Sequence, residues 1–104
     1  MKAWFDQVID GHADTLVRIA EEGGSLGAAP HLHLDLPRLK AAGVKLQVLA
    51  VCAAKRQDPY PWACRIIGRW RQEYEQRQKT LIWIRSTADF KTWATGEKVG
   101  VILA

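Results

Sequence analysis

Asp10-Gly11-His12-Ala13-Asp14 places an imidazole and a carboxylate two residues apart in a chain of 104 residues. In extended backbone the side chains of residues i and i+2 point the same way, so His12 and Asp14 converge on one point. An imidazole nitrogen and a carboxylate oxygen form a suitable ligand pair for Zn²⁺ and related divalent ions. Position favours that chemistry. The motif stands where a short apolar stretch, Gln7 to Ile9, gives way to a helix, and parallel α/β folds put their sites at the carboxyl ends of strands. Gly11 lets the backbone bend there, and Thr15 begins the helix. The plain structural alternative makes Asp14 a helix cap and His12 a half-buried loop residue.

Other side chains offer weaker chemistry. His31 and His33 form a second pair at the same spacing, but they fall in a loop rich in Gly, Ala and Pro, where solvated or cap-packed imidazoles are the ordinary outcome. Asp35 precedes Leu36-Pro37-Arg38 and reads as a helix cap, not an acid. Trp62, Trp70, Trp83 and Trp93 lie next to Arg65, Arg69, Arg71 and Arg85, a combination that could stack and bind single-stranded nucleic acid. The helical spacing of the tryptophans points to a core instead. Glu73 and Glu75, interleaved among the arginines, point to a solvated helix face.

The elements that must position these residues alternate between strand and helix. A first strand ends at Asp10-Gly11, and the spacing of Leu16, Ile19 and Ala20 predicts a helix from Thr15 to Glu22 that stops at Gly23-Gly24. A short helix follows Asp35 and ends at Gly43. Val44 to Cys52 reads as a strand buried on both faces. A long helix is expected from Trp62 to about Lys79, with Trp62, Ile66, Ile67, Trp70 and Tyr74 on one face. Leu81 to Ile84 is a third strand. Ser86 and Asp89 resemble a capping box opening a short helix to Gly96, and Val99 to Ala104 is a fourth strand. Strands alternating with helices imply right-handed parallel crossovers, hence an α/β sheet or part of a barrel. There is no internal repeat and no sign of a second domain.

Composition narrows the class further. The length suits one domain. Fifteen Lys and Arg against eleven Asp and Glu give a net charge of +4, a balance that permits nucleic-acid contact without requiring it. Cys52 and Cys64 are too few for a disulfide scaffold. Their apolar surroundings predict buried free thiols, which fits a reducing, cytoplasmic setting. Residues 1–7 contain no secretory core, and no apolar stretch approaches the ~20 residues needed to span a bilayer. The last strand runs to Ala104 without a turn, polar cap or covering helix, which gives the chain the look of the front part of something larger.

Val8 to Thr15, followed by His33 to Val51 with its Asp35-Leu-Pro-Arg-Leu-Lys-Ala-Ala-Gly-Val44 segment, resembles the start of the peptidase M19 family, the renal or membrane dipeptidase family. Those enzymes open with a DGHxD strand end and continue with a DLPRLxxGGV helix and strand. The resemblance runs over most of the chain and is weaker from Asp58 onward. It implies a metal-dependent (β/α)8 TIM barrel, of which this chain is the N-terminal part with about four β/α units, hydrolysing dipeptides with two bridged zinc ions. His12 and Asp14 match the first two metal ligands. The family's bridging glutamate follows the strand that Val99 to Ala104 resembles. Its later histidines, substrate-binding arginine and acid/base aspartate match no residue here, so no catalytic residue is assigned in this segment.

Three functions of different class follow as expectations. The first is a segment of a zinc metallodipeptidase, inactive alone, because two-metal hydrolysis needs several convergent ligands and a proton carrier. The second is a small basic nucleic-acid-binding module. The third is a non-catalytic piece that assembles, with itself or another chain, through exposed strands. The resemblance favours the first, with no membrane or nucleic-acid partner and with self-association through the strands.

Overall fold

The computed structural model describes residues 7–54 and 56–104; residues 1–6, where the sequence shows no secretory core, lie outside the described residues. Four strands alternate with helices: β1 (Val8–Ala13), α1 (Thr15–Glu22), α2 (Leu36–Ala41), β2 (Val44–Leu49), α3 (Pro59–Gln76), β3 (Leu81–Trp83), α4 (Thr87–Thr95) and β4 (Val99–Leu103). All strand pairs are parallel, in the order β1-β2-β4-β3. The parallel α/β sheet is therefore as expected. Its order departs from the sequential run of consecutive barrel units, because β4 takes the place beside β2 and pairs with it from Leu46–Gly100 to Leu49–Leu103. β3 is left at the edge, paired with β4 only through Val99, Gly100 and Val101.

Local chemistry explains most boundaries. Leu16 and Ile19 bury one side of α1, and Gly23 leaves the helix at φ +83°, a conformation that favours glycine. Asp35 caps α2 by accepting from Arg38 N at 3.1 Å, and Gly43 at φ +76° turns the chain into β2. Ser86 Oγ accepts from Asp89 N at 3.1 Å at the head of α4. The reciprocal carboxylate reaches back to Arg85 N at 2.9 Å, one residue earlier than a standard capping box. β1 continues through His12 to Ala13, further than Asp10-Gly11, and β2 stops at Leu49, short of Cys52. α3 spans Pro59–Gln76 instead of Trp62 to Lys79 because Pro59, with no amide proton to leave unpaired, suits a first turn.

Side chains of one sheet face form the main core. Leu49, Leu81, Val99 and Val101 pack with Leu16, Ile19, Leu26, Leu36, Ile66 and Trp70. Trp70 is fully buried, stacked on Tyr74 and edge-on to Trp83 with ring centroids 5.7 and 5.8 Å apart, as the helical spacing of the tryptophans predicted. Residues alternate between faces along β4, so Gly100 belongs to the other face. There Trp93 of α4 and Ile84 press onto it so closely that a Cβ would lie 2.8 and 2.7 Å from their carbons. Trp93 Nε1 donates to Lys45 O at 2.8 Å, tying α4 to β2.

Neither the burial expected of the two cysteines nor the solvated position expected of Glu73 holds. Cys52 and Cys64 are free but exposed: Cys52 lies beyond the end of β2, and Cys64 lies on the outer side of α3. Glu73 is buried, 1% exposed, and not on a solvated face. Its carboxylate is ion-paired at 2.6 Å to both Arg69 and Arg77, one turn away on either side, and accepts from Leu26 N at 3.2 Å and Ser25 Oγ at 3.3 Å. A carboxylate leaves water only with such compensation, and here the result is to anchor the loop between α1 and α2 onto α3. Among the described residues no helix is long and apolar enough to cross a membrane.

Candidate metal centre

His12 and Asp14 sit at the carboxyl end of β1, where the strand feeds α1. His12 Nε2 lies 3.3 Å from Asp14 Oδ1, and the side chains are 68% and 59% exposed. The strand is irregular at this point. Asp10 is opposite Gln47 and Ala13 is opposite Leu49, so Gly11 and His12 together face Val48, an extra residue that makes a bulge. Ala50 N closes the far side by donating to Ala13 O at 2.9 Å. Gly11 does not carry the bend: its φ is not positive, and a Cβ there would meet nothing within 4 Å.

Asp14 occupies the cap position of α1, yet its side chain makes no capping hydrogen bond. Asp35 and Ser86, at the equivalent positions of α2 and α4, both do, whereas Asp58 at the head of α3, like Asp14, makes none. The plain alternative for the motif is thus not what the fold adopts. Asp14 leaves the first-turn amides alone and turns to His12, and His12 is an exposed strand residue instead of a half-buried loop one.

The donor set can be compared with what an ion requires. Ligand bonds of about 2.05 Å in tetrahedral geometry separate two donor atoms by roughly 3.3 Å, the separation found between Nε2 and Oδ1. One nitrogen and one oxygen donor suit zinc, and both are open to solvent. The described residues contain no group of three or more His, Cys, Asp or Glu able to hold a metal; His12 and Asp14 offer two donors. His31 and His33 are exposed on the loop before α2, with Leu32 and Leu34 turned inward between them, and join no such group.

Asp35 is structural. It is 5% exposed, and its carboxylate accepts from Ala29 N at 2.9 Å, Arg38 N at 3.1 Å and Arg38 Nε at 3.1 Å. The Ala29 amide, with Arg38 beside it, holds its pKa below the ordinary value against the opposing effect of burial.

Sequence reasoning did not find the surroundings of the pair. A cleft of about 230 Å³ beside Asp14 is lined by Glu21, Cys52, Arg56 and Trp62, among others. Arg56 stacks over Trp62 at 3.9 Å from the ring centroid and pairs with Glu21 at 3.0 Å. Arg85 likewise covers Trp83 at 4.2 Å, so these tryptophan faces are engaged within the chain. The available signal was topological, since adjacent parallel strands bring the residues that follow β1 and β2 together. Gln47, a buried amide in an apolar strand, donates to Asp10 Oδ2 at 2.6 Å. Its polarity was the other sign that something besides packing occupies this corner.

No protein-family model matches the chain, and a search of curated proteins returns no match. The family resemblance therefore rests on the DGHxD and DLPRL blocks themselves.

Proposed function

We propose that this chain is the N-terminal segment of a zinc-dependent dipeptidase of the renal dipeptidase type, and that His12 and Asp14 are the first two ligands of its binuclear metal site. One observation carries this reading above all: at the carboxyl end of β1, Asp14 makes no cap bond to its helix and lies 3.3 Å from His12, a separation that an ion pair shows and that is compatible with two donors of one ion. Bound zinc supplies Lewis acidity toward the scissile carbonyl and lowers the pKa of water. The chain's own residues orient and hold: β1 presents His12 and Asp14 at its carboxyl end, α1 fixes Asp14 from behind, and the cleft toward Trp62 gives access.

On this reading β1, β2 and β4 are the consecutive wall strands, and β3 is a short strand inserted between the second and third. β3 pairs with only the first three residues of β4, which leaves the outer edge at Ile102 and Leu103 for the next strand. The segment is inactive alone because the bridging carboxylate, later histidines and proton carrier come from further strands.

The coding sequence beyond Ala104 tests the assignment. A Glu-Gly pair directly after Ala104 is expected. A stop codon there, or a continuation with no acidic residue at the end of β4, contradicts it.

The assembly reading has a specific observation of its own. β1 is an edge strand whose Val8 and Ile9 are 42% and 62% exposed, an invitation to intermolecular pairing. It is compatible with the first reading, since a segment with an open edge would self-associate.

A further inference from the structure

We infer that Asp10 and Gln47 form a positioning pair that sets the strand offset on which His12 is presented. The inference deepens the metal reading of His12 and Asp14 and rests on it. The register of β1 against β2 shifts between Val8 and Ile9 and shifts back between the Asp10–Gln47 and Ala13–Leu49 pairs, so Asp10–Gln47 is the last pair of the shifted stretch and the bulge that presents His12 follows it directly. A bulge re-aims a side chain, but it also interrupts the ladder of hydrogen bonds that fixes register. The Gln47 side chain supplies a replacement. Its Nε2 donates at once to Asp10 Oδ2 at 2.6 Å and to Val48 O at 3.0 Å, gripping the residue that opens the bulge and the residue that faces it.

Packing alone does not account for this amide. Gln47 is 1% exposed among Leu26, Leu34, Leu36, Leu39, Leu49 and Val101, and its Oε1 has no hydrogen-bond partner. A buried, unpaired carbonyl oxygen is unfavourable, and leucine would fill the same layer without one. What leucine cannot do is hold Asp10. Groups that orient metal ligands without touching the metal commonly change affinity ten- to a hundredfold when removed.

Two readouts on the full chain test this and keep it apart from the metal reading. Register is read from cross-strand NOEs between Asp10 and Gln47 and between Ala13 and Leu49. Zinc affinity is read from the His12 imidazole resonances on titration with Zn²⁺ alone. Gln47→Leu should lose the Ala13–Leu49 pairing and weaken zinc binding by about tenfold or more without lowering the melting temperature. Asp10→Ala should act in the same direction, and Asp10→Asn, which keeps an acceptor oxygen, should restore both. Unchanged register in Gln47→Leu overturns the inference, as does a lost register with zinc affinity held within twofold. If the register shifts but the unmodified chain's His12 never responds to zinc, the metal reading fails and the inference fails with it. Should Gln47→Leu not fold, the contrast between Asp10→Ala and Asp10→Asn decides.

Discussion

Asp14 Oδ1 and His12 Nε2 face each other across 3.3 Å at the mouth of β1, with no capping bond from Asp14 to the helix behind it. A carboxylate in a cap position normally accepts from the second or third amide, and its loss then destabilises by about 0.5–2 kcal/mol. Since Asp14 makes no such bond, Asp14→Ala should leave stability within about 0.5 kcal/mol of the parent in urea titration. A loss at the upper end of the capping range would mean that Asp14 serves the helix after all.

Asp35 should behave oppositely. Asp35→Ala orphans the Ala29 amide and removes the cap of α2, for an expected loss of roughly 2 kcal/mol or more. Its pKa is lowered in the folded chain, so its contribution is complete above the ordinary carboxylate range. It fades as pH falls through the lowered folded value. The slope of stability with pH below about 4 should therefore be shallower in Asp35→Asn than in the parent; equal slopes would contradict the assignment.

Glu73 is the most demanding test of the interior. Glu73→Ala leaves Arg69 and Arg77 without their shared carboxylate and frees the loop at Ser25 and Leu26. Breaking a buried ion pair from one side typically costs about 3–5 kcal/mol, and the melting temperature should fall accordingly. A change under about 1 kcal/mol would mean that the cluster is effectively solvated.

Two glycines should part company. Gly100→Ala drives a methyl group into Trp93 and Ile84 and should destabilise by about 1–3 kcal/mol. Gly11→Ala meets open space without a positive φ and should be neutral or slightly stabilising. Equal effects in thermal melts would refute this account of the sheet's second face.

Much of this was legible in the sequence because it is encoded locally. The face of α1 through Leu16 and Ile19, the caps at Asp35 and Ser86, and the exit at Gly43 each depend on residues within a few positions of one another. The strand order did not follow from local signals, because nothing within β3 or β4 specifies that β4 inserts beside β2. The burial of Glu73 depends on Ser25 and Leu26, more than forty positions away, so its charge alone suggested a wet face. For His12 and Asp14, spacing predicted proximity. Only the fold could show that Asp14 forgoes its cap, and the extra residue opposite Val48 needs both strands to be seen.

The edge strand predicts association. Val8 and Ile9 are exposed on β1, so light scattering across a dilution series should show mass growing with concentration. A monodisperse monomer at high micromolar concentration would show that the edge is protected.

The most direct test of the central claim is a Zn²⁺ titration of the labelled chain followed by the imidazole resonances of all three histidines. His12 should respond selectively and saturably and His31 and His33 should not, while Asp14→Ala should weaken the response sharply and His12→Ala abolish it. Equal, weak shifts at all three histidines, or a His12 response indifferent to Asp14→Ala, would contradict that claim.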